Sequence, residues 1–247
     1  MTEKDPRASS TRLSREEISE VVHGDPIARA AKSRNNQVIR RRQLYANSAG
    51  GVLADLAGVG FSIESVGELL RLRLNYRTAV PILLDWLPRS SYLPLAEDIT
   101  RTLSVGFAKK EAAPKFLTLF REPPEVEDPM RPENSEPPKE HLRWVLGNGL
   151  GIFADPSITD ELFDLACDRR YGQARSQIVL ALPKTKDDRT PRILQSLLED
   201  STVSAFAIEA LGKMRITEAR KQIEGMLTSP DMNIRDQAKK ALKRIAE

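Results

Sequence analysis

Residues 198–214 read LEDSTVSAFAIEALGKM, and residues 229–245 read SPDMNIRDQAKKALKRI. Laid over one another at an offset of 31 residues, Asp200 meets Asp231 and Val203 meets Ile234, while Ala207 meets Ala238 and Ala210-Leu211 meets Ala241-Leu242. Self-similarity at a period of roughly 20–50 residues marks stacked supersecondary units, none of which can bury its apolar face alone. Within each copy the apolar positions recur with gaps of four, three, one and three, the stripe of a helix buried on one face.

The Ala-Leu pair extends this register backwards. Ala181-Leu182 lies 29 residues before Ala210-Leu211, Gly149-Leu150 lies 32 earlier, and Thr102-Leu103 a further 47. The last gap exceeds one repeat by about 16 residues, which is the length of the stretch PPEVEDPMRPENSEPP at 123–138. Its six prolines cannot continue a helix, so it reads as a loop inserted within one repeat. Each unit then consists of a helix A, a turn and a helix B. The A helices are predicted near Tyr76–Leu87, Ala112–Arg121, Ile158–Ala166, Thr190–Leu198 and Thr217–Leu227. The B helices are predicted near Leu93–Val105, Lys139–Phe153, Gly172–Leu182, Thr202–Met214 and Met232–Ala246. Asp200 and Asp231 stand where a short carboxylate caps the next helix.

Upstream, Ser62 is expected to open a helix through about Leu74, with Phe61 as a hydrophobic staple. The first 60 residues read as an N-terminal helical extension or cap, mobile near its start, and 61–247 as the repeat array. Ser14-Arg15-Glu16-Glu17 has capping-box spacing, and Asp25-Pro26 is a second helix start, whose helix is expected to break at Gly50-Gly51. The fold class is all-α: an α-solenoid of about five helix pairs with a helical cap, and no strands.

Composition suits this reading. Hydrophobic residues make up 40% of the 247, charged residues 30% and aromatics only 5%. No apolar run approaches the roughly 18 residues of a membrane span, and the polar stretch Met1 to Arg12 does not read as a signal peptide. Cys167 is alone, which points to a reducing cytoplasm rather than a disulfide framework. With one cysteine and two histidines, His23 and His141, no metal site is expected.

The repeated residues resemble the HEAT-repeat family in its short bacterial form. The family pattern is an aspartate in the turn, then Val-Arg, Ala and Ala-Leu-Gly. Asp231, Ile234-Arg235, Ala238 and Ala241-Leu242 match it, as do Asp200, Val203, Ala207 and Ala210-Leu211-Gly212. The arginine recurs as Arg143, Arg175 and Arg235, but the fourth unit has Ser204 in its place. The resemblance implies that Asp200, Asp231, Arg175 and Arg235 form a structural ladder between repeats, one that Ser204 would interrupt. It also implies a scaffold for protein contacts rather than a catalyst, though fold alone does not fix function.

In such a stack the B helices line one face, whose exposed positions are the expected binding surface. Register places Arg101, Arg143, Trp144, Asn148, Ser176 and Glu209 there, with an apolar middle that includes Val179, Leu180 and Ile208. Trp144 is the one large aromatic among them, and Trp and Arg are enriched at interface hot spots. Two readings of Trp144 stand open: a groove contact, or packing on the next repeat or the 123–138 loop.

Charge is segregated. The 123–138 loop carries five acids and one arginine, a net of −4, against +7 for the remainder. Two basic clusters stand out, one around Arg29, Lys32, Arg34, Arg40, Arg41 and Arg42, the other at Lys239, Lys240, Lys243 and Arg244. Each is either a solvated helix face or a contact for phosphates or an acidic protein, and the acidic loop is a candidate to fold back over one of them.

No phosphate-binding glycine loop lies between a strand and a helix, so no nucleotide cofactor is expected. Gly147-Asn148-Gly149-Leu150-Gly151 falls in mid-helix, where glycines allow close backbone approach. No Ser/His/Asp set is evident. Some HEAT-like proteins are DNA glycosylases that use an aspartate and aromatic residues, types supplied here by Asp85, Trp86 and Trp144. The expected function is non-catalytic binding of another protein, with nucleic-acid binding through the basic clusters as the alternative and glycosylase chemistry a remote one. No membrane, cofactor or small-molecule partner is expected.

Overall fold

The structure, a computed structural model, describes residues 26–246. The capping-box sequence at Ser14–Glu17 lies outside the described residues. Twelve α-helices succeed one another, and no strand occurs among the described residues. They are α1 (Pro26–Gly58), α2 (Glu68–Arg71), α3 (Val80–Trp86), α4 (Leu93–Leu103), α5 (Lys109–Arg121) and α6 (Pro138–Phe153). After these come α7 (Thr159–Cys167), α8 (Ser176–Ala181), α9 (Thr190–Ser196), α10 (Ser204–Met214), α11 (Arg220–Gly225) and α12 (Met232–Ala246). Short 3-10 turns extend several of them, as at Arg77–Ala79 before α3 and Leu197–Glu199 after α9. No described helix is long and apolar enough to cross a membrane.

The chain divides into two compact units, Met1–Leu44 and Tyr45–Glu247, with the boundary inside α1. In the first unit, the described side chains of α1 from Ile27 to Gln43 are exposed. The second unit holds the core. Its part of α1 buries Ala49, Val52 and Leu56 at helical spacing. Tyr45 donates from its hydroxyl to Asp98 on α4 at 2.8 Å, and receives the Val66 N–H at 3.1 Å. Burial raises the Asp98 carboxyl above its ordinary value, although the Tyr45 hydrogen bond pulls the other way.

The predicted break at Gly50-Gly51 does not occur, because α1 runs through both residues. Gly50 faces open space, whereas a Cβ on Gly51 would strike the ring of Trp86, whose indole N–H donates to Asp55 at 2.7 Å. The helix expected from Ser62 to Leu74 shrinks to the single turn α2. The chain leaves α1 through Gly60 in the left-handed region and ends α2 at Arg73, which also has positive φ. The Glu68 carboxylate accepts the Glu64 N–H at 3.2 Å, holding residues 64–68 as a turn, and Leu70, Leu72 and Leu74 are left exposed.

Consecutive helices pack against one another. Helix α3 packs on α4, α5 on α6, α7 on α8, α9 on α10 and α11 on α12. The second helix of each pair also packs on that of the next pair: α4 on α6, α6 on α8, α8 on α10 and α10 on α12. Leu103, Leu150, Leu182 and Leu211 are fully buried at the equivalent position. The loop at 123–138 joins α5 to α6 and is pinned by a single parallel bridge, Tyr92 to Glu127, in which Leu93 N–H donates to the Glu127 carbonyl at 2.9 Å. Pro138 already belongs to α6, consistent with proline at a first helical turn.

The glycines of α6 set its neighbours' distance. A Cβ on Gly149 would sit 2.5 Å from the Phe116 ring and 2.7 Å from Ser104 Oγ. One on Gly151 would sit 2.8 Å from the Gln177 carbonyl oxygen, and one on Gly147 would overlap that of Ala174. Gly212 of α10 repeats the device, lying 2.7 Å by the same measure from the Cα of Ala241 on α12.

The recurring arginine has one constant partner type, the carbonyls that close its own helix A. Arg143 donates to Phe120 O at 2.9 Å, Arg175 to Ala166 O at 3.0 Å, and Arg235 to Ser229 O at 2.7 Å and Pro230 O at 2.8 Å. These carbonyls lie at or just beyond a helix C-terminus, where no backbone donor is left for them. The expected ladder reduces to one rung. Arg175 pairs with Asp200 at 2.9 Å, both buried, while Asp231 is exposed and accepts the Asn233 N–H at 2.7 Å. Ser204, too short to reach, breaks the series and leaves its own buried hydroxyl oxygen without a partner.

Burial pushes the Asp200 carboxyl upward, but the hydrogen bond and charge of Arg175, the Thr202 N–H and Arg169 outweigh it, so it titrates below 3.8. The pair therefore stabilises the fold above that pH, and its contribution is lost as pH falls through the depressed value. Asp200→Asn leaves the Arg175 charge uncompensated and is expected to cost about 3–5 kcal/mol at neutral pH. In urea melts across pH, that deficit should shrink on the acid side of pH 3.8; a pH-independent deficit would refute the linkage. Gly50→Ala should stabilise the protein by about 0.5–1 kcal/mol, since it sits exposed in mid-helix. Gly147→Ala should destabilise it by about 1–3 kcal/mol through overpacking. The same melts compare the two, and equal effects would show that the close approach does not matter.

Candidate functional site

The positions expected to form the binding face divide into two groups. Thr100, Gly147, Gly151, Val179, Ala205, Ile208 and Gly212 are buried between successive second helices. The expected apolar middle of a groove is in large part the packed seam between helices. Two predicted contacts leave the surface with it. Arg143 is buried on the end of α5, where it also pairs with Glu140 and faces the Tyr171 ring at 5.5 Å. Ser176 is buried and donates from its hydroxyl to Gln173 O at 2.7 Å. Neither can present its side chain to a partner.

The remaining predicted contacts stay accessible. Arg101 is exposed on α4; Trp144 and Asn148 are half-buried on α6; Glu209 is half-buried on α10 and paired with Lys213 at 2.8 Å. Lys239, Lys240 and Lys243 are exposed on α12, and Arg40, Arg41 and Arg42 are exposed on α1 in the first unit. Asp85 and Trp86 lie on the first helix of a pair, with Asp85 paired to Arg89 and Trp86 bonded to Asp55.

On the surface shared by α4 and α6 these residues join Glu97, which the repeat register also puts on that face, and His141, which it does not. Glu97 accepts from Arg101 at 3.0 Å and lies 2.8 Å from His141 Nε2. The other imidazole nitrogen is 3.9 Å from the Glu136 carboxylate of the acidic loop. The His141 and Trp144 rings stack at a tilt with centroids 5.8 Å apart, three residues apart on one helix face. A row therefore runs Arg101, Glu97, His141, Trp144, linking two helices and the loop. One turn beyond Trp144 lies Asn148, whose Oδ1 is buried and has no hydrogen-bond partner. His141 and Glu97 had one detectable signal: His141 precedes Trp144 by three residues, and Glu97 occupies the Trp144 position of the preceding unit.

The acidic loop makes its ion pairs locally, Glu125 with Lys139 and Glu136 with His141. A second concavity, a cleft of about 310 Å³, opens between the start of α7 and the turn before α9. Three of its charges satisfy one another. Arg189 bonds Asp160 and Asp187, each at 2.7 Å, and holds the Asp187 carboxyl down at about 2. Among the described residues no three His, Cys, Asp or Glu side chains gather in a way that could hold a metal ion.

Comparison with family models, with curated proteins and with solved structures finds no match to the chain.

An unsatisfied buried acceptor costs about 1–3 kcal/mol, whereas an apolar group of similar size in its place does not. Asn148→Met is therefore expected to raise the thermal midpoint. A lower midpoint would show that the amide is bonded in solution.

Proposed function

We propose that the helix pairs form an α-solenoid of about five HEAT-like units, and that the chain is a non-catalytic scaffold that binds another protein on the face of its second helices. The pair-to-pair packing of α4, α6, α8, α10 and α12 supports the solenoid, as does the recurrence of a small residue at the contact position. The observation that carries the binding reading is the row on α4 and α6. A half-exposed indole sits beside charged groups already held in place by one another, next to a carbonyl oxygen that lacks a donor. A partner that covers Trp144 would bury a large apolar area. Buried aromatic anchors ringed by polar groups are what hot spots consist of. Keeping an unsatisfied amide also lowers stability, a cost commonly accepted at functional surfaces.

Trp144→Ala and Arg101→Glu, immobilised beside the unchanged protein, should retain at least tenfold less of one partner protein from an extract of the native host. Helical content and thermal midpoint of Trp144→Ala should remain within about 2 °C of the parent. Equal retention by all three proteins would overturn the reading. So would a loss of several kcal/mol of stability in Trp144→Ala, which would make the indole a core residue.

A further inference from the structure

The strongest charged feature outside the α4–α6 row is the first-unit part of α1. From Pro26 to Ala54 the chain contains no acidic residue, yet it carries Arg29, Lys32, Arg34, Arg40, Arg41 and Arg42. All six side chains are exposed, and the residues around them belong to a continuous helix. At about 100° per residue, Lys32, Arg34, Arg40, Arg41 and Arg42 are distributed around the whole circumference, with no gap wider than about 100°. Val38 and Ile39 are exposed and lie about 100° apart; Ile27 falls within about 20° of Val38, but Arg34 and Arg42 stand about 40° to either side of Val38, so no uninterrupted apolar face forms.

This distribution discriminates between polyanions. A helix that lies on a membrane presents an apolar face opposite its cations, and the segment Ile27–Leu44 has no such face. A helix in the major groove of B-form DNA has phosphates on both flanks and base edges beneath it, so Arg40 and Arg42, on opposite flanks when Asn35 and Asn36 turn to the bases, meet phosphates directly, and the long side chains of Arg34 and Arg41 reach back to the flanks from the outer side. The groove, about 12 Å wide, admits a helix about 10–12 Å across with its side chains. From Lys32 to Arg42 the helix rises about 15 Å, over which each strand carries four or five phosphates. Between these cations stand Asn35, Asn36 and Gln37, whose amides can pair with adenine edges.

We propose that the α1 segment Ile27–Leu44 is a DNA-binding helix that inserts into the major groove of duplex DNA. Lys32, Arg34, Arg40, Arg41 and Arg42 bind the backbone phosphates on both sides, and Asn35 and Asn36, about 100° apart, face the bases. The proposal uses a surface other than the α4–α6 row and does not rest on the scaffold reading.

The test is fluorescence anisotropy of the full chain with a labelled mixed-sequence DNA duplex, from 50 to 200 mM salt. Binding with a micromolar Kd at the low end is expected, with log affinity falling against log salt at a slope of about −4 to −5, near −0.9 per phosphate contacted. Arg40→Gln/Arg41→Gln/Arg42→Gln should flatten that slope by nearly 3 and weaken binding at least tenfold at 100 mM salt. Lys239→Gln/Lys240→Gln/Lys243→Gln should bind like the parent. Circular dichroism checks that each variant keeps its helical content. No binding at 50 mM salt would overturn the proposal, as would an unchanged triple-arginine variant or an equal loss in the triple-lysine variant. Equal affinity for an A-form RNA duplex, whose major groove excludes a helix, would overturn groove insertion. Capture by anionic phosphatidylserine vesicles without any duplex binding would assign the helix to membranes instead.

Discussion

The close approach of successive second helices is the constraint on which the rest of the structure depends. Interiors are packed as densely as organic crystals, so a single added carbon where two helices touch must displace something. Ser104 meets Gly149, Gly151 meets Gln177, and Gly212 meets Ala241, all too closely for a further carbon. Ser104, Gly151 and Gly212 share one register position, where the remaining two units have Pro183 and the exposed Lys243. Small residues at that position let helices touch along their length, and the buried leucines then fill the space behind the contact. Gly147, overlapped by the Ala174 carbonyl, extends the contact of α6 by a further turn.

Helices this short leave many backbone carbonyls exposed at their ends, and side chains from other elements close them. Tyr76 donates to Thr102 O at 2.9 Å, Arg143 to Phe120 O, Lys184 to Gly151 O at 2.8 Å and Arg175 to Ala166 O. Four helix C-termini, α4 to α7, are satisfied by four different donors. This assigns the recurring arginine a job distinct from the ladder that the resemblance implies. Its charge is secondary in two units of three, and only at Arg175 does it also meet a buried aspartate. A long side chain with five donors on a planar fork suits a carbonyl cap and an ion pair at the same time.

The accessible part of the second-helix face is narrower and more polar than an apolar groove. What remains is a line of paired charges that ends on an indole and an unpartnered amide. Trp144 and Asn148 are legible from the repeat register, which alone puts them off the core stripe. Glu97 and His141 could not be joined to them, since they lie 44 residues apart in the chain and meet only when α4 packs against α6. Arg143 and Ser176 were misplaced for a related reason. A register that assigns one outward face to each helix ignores the turns and helix ends that pack over that face from the side.

Local chemistry and periodicity were enough to determine the helical class, the proline-rich interruption and the purpose of the mid-helix glycines. Each of these is written in residues near one another: a repeated Ala-Leu, a run of prolines, a glycine where a neighbour must come close. Tertiary structure decided the rest. It carried α1 through Gly50 and Gly51, the second of which lies against the Trp86 indole where a side chain would otherwise stand. It shrank the Ser62–Leu74 segment to one turn, because only Val66 and Leu69 found a core to enter. It decided which arginine meets an aspartate, and which polar side chains share a surface. Those outcomes depend on distances between elements remote in sequence, which no single segment encodes.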